Sequence, residues 1–186
     1  MLGMYSATAV TGTMAAGLAA DAEIFQFRFT HASRTILVHK LSVWAGGIGA
    51  FAAGFVKFEA MIARAWTVAG TGGGTLTLTG DNNTHRATFA ASTMSTDGEI
   101  RIATTAALTA GTKTLDTQGI CSVGGSTTAT AGTALVTPMG TLFDSGQGGY
   151  PIVLVQNEGI IVRATVPATG TWTGAVNVTW QELANF

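Results

Sequence analysis

The sequence predicts an all-β protein: an antiparallel β-sandwich or jelly-roll-like barrel of roughly eight to ten short strands, preceded by an extended N-terminal arm. Three observations predict it. Apolar and polar residues alternate with period two, as where Phe25, Phe27 and Phe29 oppose Gln26 and Arg28, the mark of a strand with one buried face. The commonest residues are Thr (31), Ala (30) and Gly (25); Thr favours strands, and Thr and Gly are both poor in helix interiors. The periodic runs are short and stop at Gly, Asn, Asp or Pro, the turn-forming residues.

Taken in order, residues 1–22 show neither period and read as the arm; residues 23–186 read as a single sandwich domain. "EIFQFRFT" is the first clear strand. "RTILVHKLSVWA" is a longer one, with Leu37, His39, Leu41 and Val43 on one face and Ile36, Val38, Lys40, Ser42 and Trp44 on the other. "FVKFEAMIARAWTV" also suits a helix, since Ala, Met, Glu and Arg are helix formers. The Gly-rich "AGTGGGT" that follows, opening into "TLTLTG", favours a strand entering a hairpin. "THRATFAA" and "GEIRIATTAAL" add two strands. "TAGTKTLDTQG" and "TAGTALVTPMG" echo one another, a similarity that chance explains in so Thr/Ala/Gly-rich a chain. "GTLFDSG", "YPIVLVQN", "EGIIVRATV" and "GAVNVTWQEL" complete the set, the last with Val176, Val178 and Trp180 opposite Asn177, Thr179 and Gln181.

Only 10% of the residues are charged and the net charge is −1, against a usual ~25% charged. So thin a charged surface solvates poorly alone, which predicts assembly with other protein. The nine Lys and Arg are scattered, so nucleic-acid binding has no electrostatic footprint. Residues 1–20 are uncharged and end in small residues, but the basic n-region of a signal peptide is missing and the expectation is an arm, not a leader. Leu41–Val56 is uncharged too, yet shorter than the ~20 residues a membrane-spanning helix needs and interrupted by glycines. No membrane partner is expected.

Chemistry-bearing patterns are sparse. His31, His39 and His85 lack zinc-ligand spacing, and His39 reads as a hydrogen-bonded core or interface histidine. "GTGGGTLTLTG" fits no phosphate-binding pattern and leads into a strand, away from any helix N-terminus. Asp21/Glu23 and Asp97/Glu99 are spaced like same-face pairs, and read as strand-entry charges before a sugar-cleaving dyad. Asp81, Asn82 and Asn83 suit an Asx turn, with a bound cation as the rival. Cys121, the single cysteine, sits in a Gly/Ser/Thr loop without a nearby His. The expectation is no catalytic, metal or cofactor site.

The C-terminal stretch Pro151–Leu183 resembles the ending of many tailed-bacteriophage virion structural proteins. There an L-x-x-x-EG-x-x-V-R strand leads through a Gly-rich turn to V-x-V-x-W-x-E. The matching positions are Leu154, Glu158, Gly159, Val162 and Arg163, then Val176, Val178, Trp180 and Glu182. The resemblance implies a capsid decoration or cement protein on the virion surface, trimeric, stapling the major capsid protein. Its alternatives are a tail tube, head fibre or host-recognition module; a carbohydrate-active β-domain is the reading outside virions. Interface candidates are Trp172, Trp44, Phe25 and Arg163, since Trp and Arg are enriched in contact hot spots. Trp66 and Trp180 read as core, whereas Trp172, just after Gly170 in a turn, reads as the exposed contact.

Overall fold

The alternating segments pair into two antiparallel sheets that face each other across one apolar core. This is a computed structural model, and it describes residues 3–15, 18, 20–47, 49, 52–79, 82–87, 90–127, 140–147 and 149–184. Sheet 1 runs β11 (Gly140–Asp144), β4 (Arg34–Gly47), β14 (Thr171–Ala184), β1 (Gly3–Val10) and β7 (His85–Arg86); β12 (Ile152–Leu154) also pairs with β4, and β2 (Met14–Ala15) with β14. Sheet 2 runs β10 (Cys121–Thr127), β5 (Gly54–Val68), β13 (Glu158–Thr165), β3 (Ala22–Phe29), β8 (Gly98–Ile102) and β6 (Gly74–Thr75), with β9 (Thr112–Leu115) on β5. Both sheets are open, so the architecture is a sandwich and not a closed barrel. Fourteen strands are found among the described residues, more than expected because several are only two or three residues long.

The expected arm is corrected first. Gly3–Val10 is a full strand in the body of sheet 1, paired with β14 from Gly3↔Glu182 to Val10↔Ala175. Its inward residues Tyr5, Ala7 and Ala9 are buried. The Gly-rich hairpin is also corrected: β6 pairs with β8 and not with β5. Gly73, at φ +59°, brings the chain so close to β8 that a Cβ there would stand 2.1 Å from the Ile102 carbonyl oxygen. The connection past Gly170 carries the chain from β13 in sheet 2 to β14 in sheet 1. The "THRATFAA" strand shrinks to His85–Arg86. The second half of the internal echo lies outside the described residues except for Gly140.

Three irregularities shift the phase of the alternation, and each serves packing. In β3, Val162 pairs with Phe25 but Arg163 pairs with Glu23, so Ile24 is an extra residue and both Ile24 and Phe25 enter the core. In β4, Thr179 pairs with Lys40 but Trp180 with Val38, which makes His39 the extra residue. The inward set is therefore Ile36 and Val38, then Leu41, Val43 and Ala45, and the strict alternation expected for this strand breaks at the bulge. In β5, Ala65 adopts φ 49°, and Trp66 turns to the outer side of sheet 2 to pack with Met61, Ala63 and Ile161.

The core is aromatic at its centre. Trp180 stacks on Tyr5 at 5.7 Å and meets Phe27 edge-on at 5.5 Å, separations at which aromatic pairs add to burial. At one end of the sandwich a single helical turn, α1 (Met94–Asp97), puts Met94 into the core. Glu182, fully buried, fixes that plug: it accepts hydrogen bonds from Ser92 Oγ (2.6 Å), Thr93 Oγ1 (2.7 Å), the Thr93 amide (3.1 Å) and Trp180 Nε1 (3.2 Å).

Candidate interaction surface

The outer faces of the two sheets differ in chemistry. On sheet 2 several ionised side chains are tied to one another, Lys57 to Asp21 (2.9 Å), Arg163 to Glu59 (2.6 Å), and Arg64 to Asp116 (2.8 Å) and Glu158 (2.7 Å), while Arg28 donates to the Trp66 and Thr67 carbonyls. Arg163, followed by Lys57, holds the Glu59 carboxyl below its ordinary range. Part of this face is roofed by the chain after β8. Lys113 Nζ sits 4.5 Å from the Trp66 ring centroid and 2.8 Å from Glu23, while Gln26 donates to both Glu23 (2.7 Å) and the Thr109 carbonyl (2.8 Å).

Sheet 1 presents the opposite case. Register fixes which residues share its outer face. Val10, Ala175 and Trp44 form one row across β1, β14 and β4. Thr8, Asn177 and Ser42 form the next, continued by Thr141 on β11. Ser6, Thr179 and Lys40 follow. The last row is Met4, Gln181 and Leu37, continued by Val153 on β12. The Ser6 row continues to His85 on β7 and Asp144 on β11; its Lys40 and Asp144 are paired with one another at 3.2 Å, and the other three rows carry no acidic or basic side chain among those named. The Gly146 amide and Lys40 hold Asp144 below the usual carboxylate range. An open groove of about 380 Å³ lies between Trp44 and Lys40, lined also by Thr8, Ser42, Asn177 and Thr141. Asn177 donates to Thr8 Oγ1 at 2.8 Å. Beside the face, Gln181 Oε1 accepts from His39 Nε2 (3.0 Å), so Nδ1 accepts in turn from Ser145 Oγ (3.0 Å). That is the hydrogen-bonded histidine expected.

Of the four interface candidates, Trp44 is the one on this face, 39% exposed. Trp172 is corrected to core: it is 1% exposed, points inward from β14 and meets Phe58 edge-on at 5.9 Å. The turn ends at Gly170 and the strand has begun by Thr171. Phe25 is likewise core, at 0% exposure. Arg163 is half-buried on the other sheet and engaged by Glu59. The sequence reading missed Val10, Met4 and Val153, all exposed apolar residues. In "GMYSATAV" the outward set Met4, Ser6, Thr8 and Val10 contrasts too little with the inward Tyr5, Ala7 and Ala9 to mark a strand.

The motif that carries the bacteriophage resemblance is framework at each position. Leu154, Val162, Val176, Val178 and Trp180 are core. Glu158 binds Arg64, Arg163 binds Glu59, and Glu182 anchors the plug. Gly159 makes room for Trp66, whose ring would be 2.8 Å from a Cβ there.

The other sequence-flagged groups do not converge. Asp21 pairs with Lys57, Glu23 with Lys113, and Glu99 with Arg101, while Asp97 accepts from Thr96 Oγ1 at 2.7 Å. Among the described residues no three His, Cys, Asp or Glu gather as metal ligands; Asp81 lies outside those residues. Within Leu41–Val56, Leu41–Gly47 belong to β4 and Gly54–Val56 to β5, and no helix among the described residues is long and apolar enough to cross a membrane. Cys121 is half-buried, and burial together with Glu59 pushes its thiol up to about 11. Thiolate is the reactive form, so at neutral pH Cys121 will react with maleimide about three-hundredfold more slowly than a free cysteine of pKa ~8.5. The rate will climb until the pH nears 11; full labelling within the free-cysteine time course at pH 7 contradicts this. No family model, curated protein or solved structure matches the chain.

Proposed function

We propose that this chain is a non-enzymatic virion structural protein, a cement or decoration protein that adds to the outside of a bacteriophage capsid and binds major capsid subunits together. The observation that carries the reading is the division of charge between the two outer faces. Protein interfaces are depleted of charge at their centres and hold aromatic anchors there, and the outer face of sheet 1 has that composition around Trp44. The motif resemblance supplies the setting. Cementing is burial repeated by symmetry, each specific contact covering ~1,200–2,000 Å². Since β1 is part of the sandwich, docking by residues 3–10 as a free strand is not the route; contact is through a face.

The test is to mix the purified chain with empty heads of the phage that carries its gene. Binding at a fixed ratio, with a higher head melting temperature, is the expected result; failure to co-sediment removes the reading. The groove beside Trp44 favours a second reading, host recognition through a glycan, because an aromatic ring flanked by neutral hydroxyls and an amide suits a sugar. Retention of the chain on host surface polysaccharide, without binding to heads, selects that reading.

A further inference from the structure

Three buried polar side chains beneath the roof of sheet 2 have no part in the reading above: Glu23, Gln26 and Lys113. Two come from β3. Residues three apart in a regular strand face opposite sides, but the bulge at Ile24 turns Glu23 to the same face as Gln26. The third comes from β9, where Lys113 and Leu115 are covered and Thr112 and Thr114 are exposed. The side chain of Glu23 is 10% exposed and that of Lys113 2%, and Gln26 is 2% exposed. One atom joins them: Glu23 Oε2 accepts from Lys113 Nζ at 2.8 Å and from Gln26 Nε2 at 2.7 Å. The same two nitrogens donate to successive carbonyls of the roof, Lys113 to Ala110 and Gln26 to Thr109. Gly70 leaves room for the carboxamide, since a Cβ there would stand 2.6 Å from both its nitrogen and its oxygen. We infer that Lys113 and Gln26 join in an isopeptide bond within the chain, formed after folding, with Glu23 as the general base.

The chemistry is amide exchange, and it balances without a co-reactant. Glu23 takes one proton from the Lys113 ammonium, and the freed amine attacks Cδ of Gln26. As the Cδ–Nζ bond forms and the Cδ–Nε2 bond breaks, Glu23 passes its proton to the departing nitrogen and receives a second proton from Nζ. Ammonia leaves, and nothing is oxidised or reduced. Both hydrogen bonds to Glu23 lie within the ~2.6–3.2 Å reach that proton transfer needs. The shared oxygen holds amine and carboxamide side by side, so a reaction that is slow between free molecules becomes intramolecular. The Trp66 ring, 4.5 Å from Nζ, walls the site on another side and keeps out the water that would reverse the step. The driving force is local as well. A buried ammonium and carboxylate are costly to keep out of water, and the reaction replaces them with a neutral amide and a neutral carboxyl. The product fastens the roof to β3, an interior strand of sheet 2, and closes a covalent loop around β4, β5 and β8, which restricts the unfolded chain as a disulfide does. The bond serves the fold whether or not the chain binds heads.

The experiment is intact mass spectrometry of the purified full chain under denaturing conditions, followed by protease digestion and fragmentation of the peptides. The wild-type chain is expected to weigh one ammonia less than its sequence, and the digest to contain a branched peptide joining Gln26 to Lys113. Lys113→Met removes the nucleophile and will restore the full mass. Glu23→Ala keeps both reacting groups, and its folded fraction will also keep the full mass. The wild-type mass and peptide map decide the bond by themselves, so the inference stands or falls even if a variant does not fold. A wild-type chain of full sequence mass overturns it. So does a loss of ammonia that maps elsewhere or persists in Lys113→Met, and so does a loss of water that maps to Lys113 and Glu23. Loss of ammonia from folded Glu23→Ala, at the wild-type rate, overturns the role of Glu23 as the base. Head binding is measured separately, and its failure leaves the mass result untouched.

Discussion

Trp172→Ala will lower the stability of the fold by about 3–5 kcal/mol, the usual loss for removing a buried tryptophan. Its indole lies between the sheets against Phe58, on a strand that Gly47 and Met14 flank. The indole N–H has no hydrogen-bond partner among the described residues, so apolar packing and the cavity left behind carry nearly the whole effect. Urea denaturation followed by circular dichroism will show a lower midpoint with little change in slope. Trp44→Ala is the paired control. That residue stands on the outer face of sheet 1, and its truncation will shift stability by no more than about 0.5 kcal/mol. Equal losses at the two tryptophans contradict the assignment of one to the core and the other to the surface.

That contrast marks where the sequence stops being informative. Strand identity was legible wherever large apolar residues alternated with polar ones, as in β3 and β14, because the period survives whatever the strand pairs with. It was illegible in β1, where Ala7 and Ala9 differ little in hydropathy from Ser6 and Thr8, and the arm was inferred from that lack of contrast. Bulges defeat the method in another way. One extra residue at Ile24 or His39 moves all the side chains beyond it to the other face, and nothing local to the sequence announces it. The interaction face was harder still. Its rows unite β1, β4 and β14, which lie far apart along the chain, so Val10, Ala175 and Trp44 become neighbours only once the pairing is known. Trp172 and Trp44 have similar local surroundings in sequence, and register alone separates them.

The largest loss from a polar residue will come at Glu182. Glu182→Ala will cost about 3–5 kcal/mol, the range for breaking a buried charged network by removing one partner. Ser92 Oγ, Thr93 Oγ1, the Thr93 amide and Trp180 Nε1 all donate to this carboxylate, and Arg34 stands 3.7 Å away. With the acceptor gone, these donors lose their shared partner, and each one left unsatisfied costs about 1–3 kcal/mol. The damage should begin locally. Amide exchange at Thr93–Asp97 will speed up well before the sheets open, because Glu182 is what ties that turn to β14. A double-mutant cycle with Ser92→Ala identifies the cause: the paired loss will fall short of the sum of the single losses by at least about 1 kcal/mol. Strict additivity, or a Glu182→Ala loss below about 1 kcal/mol, refutes the anchoring role. Glu182 also faces inward, so the folded fraction of the variant will keep the wild-type sedimentation coefficient. A change in association state would mean that the plug, and not the outer face of sheet 1, governs assembly.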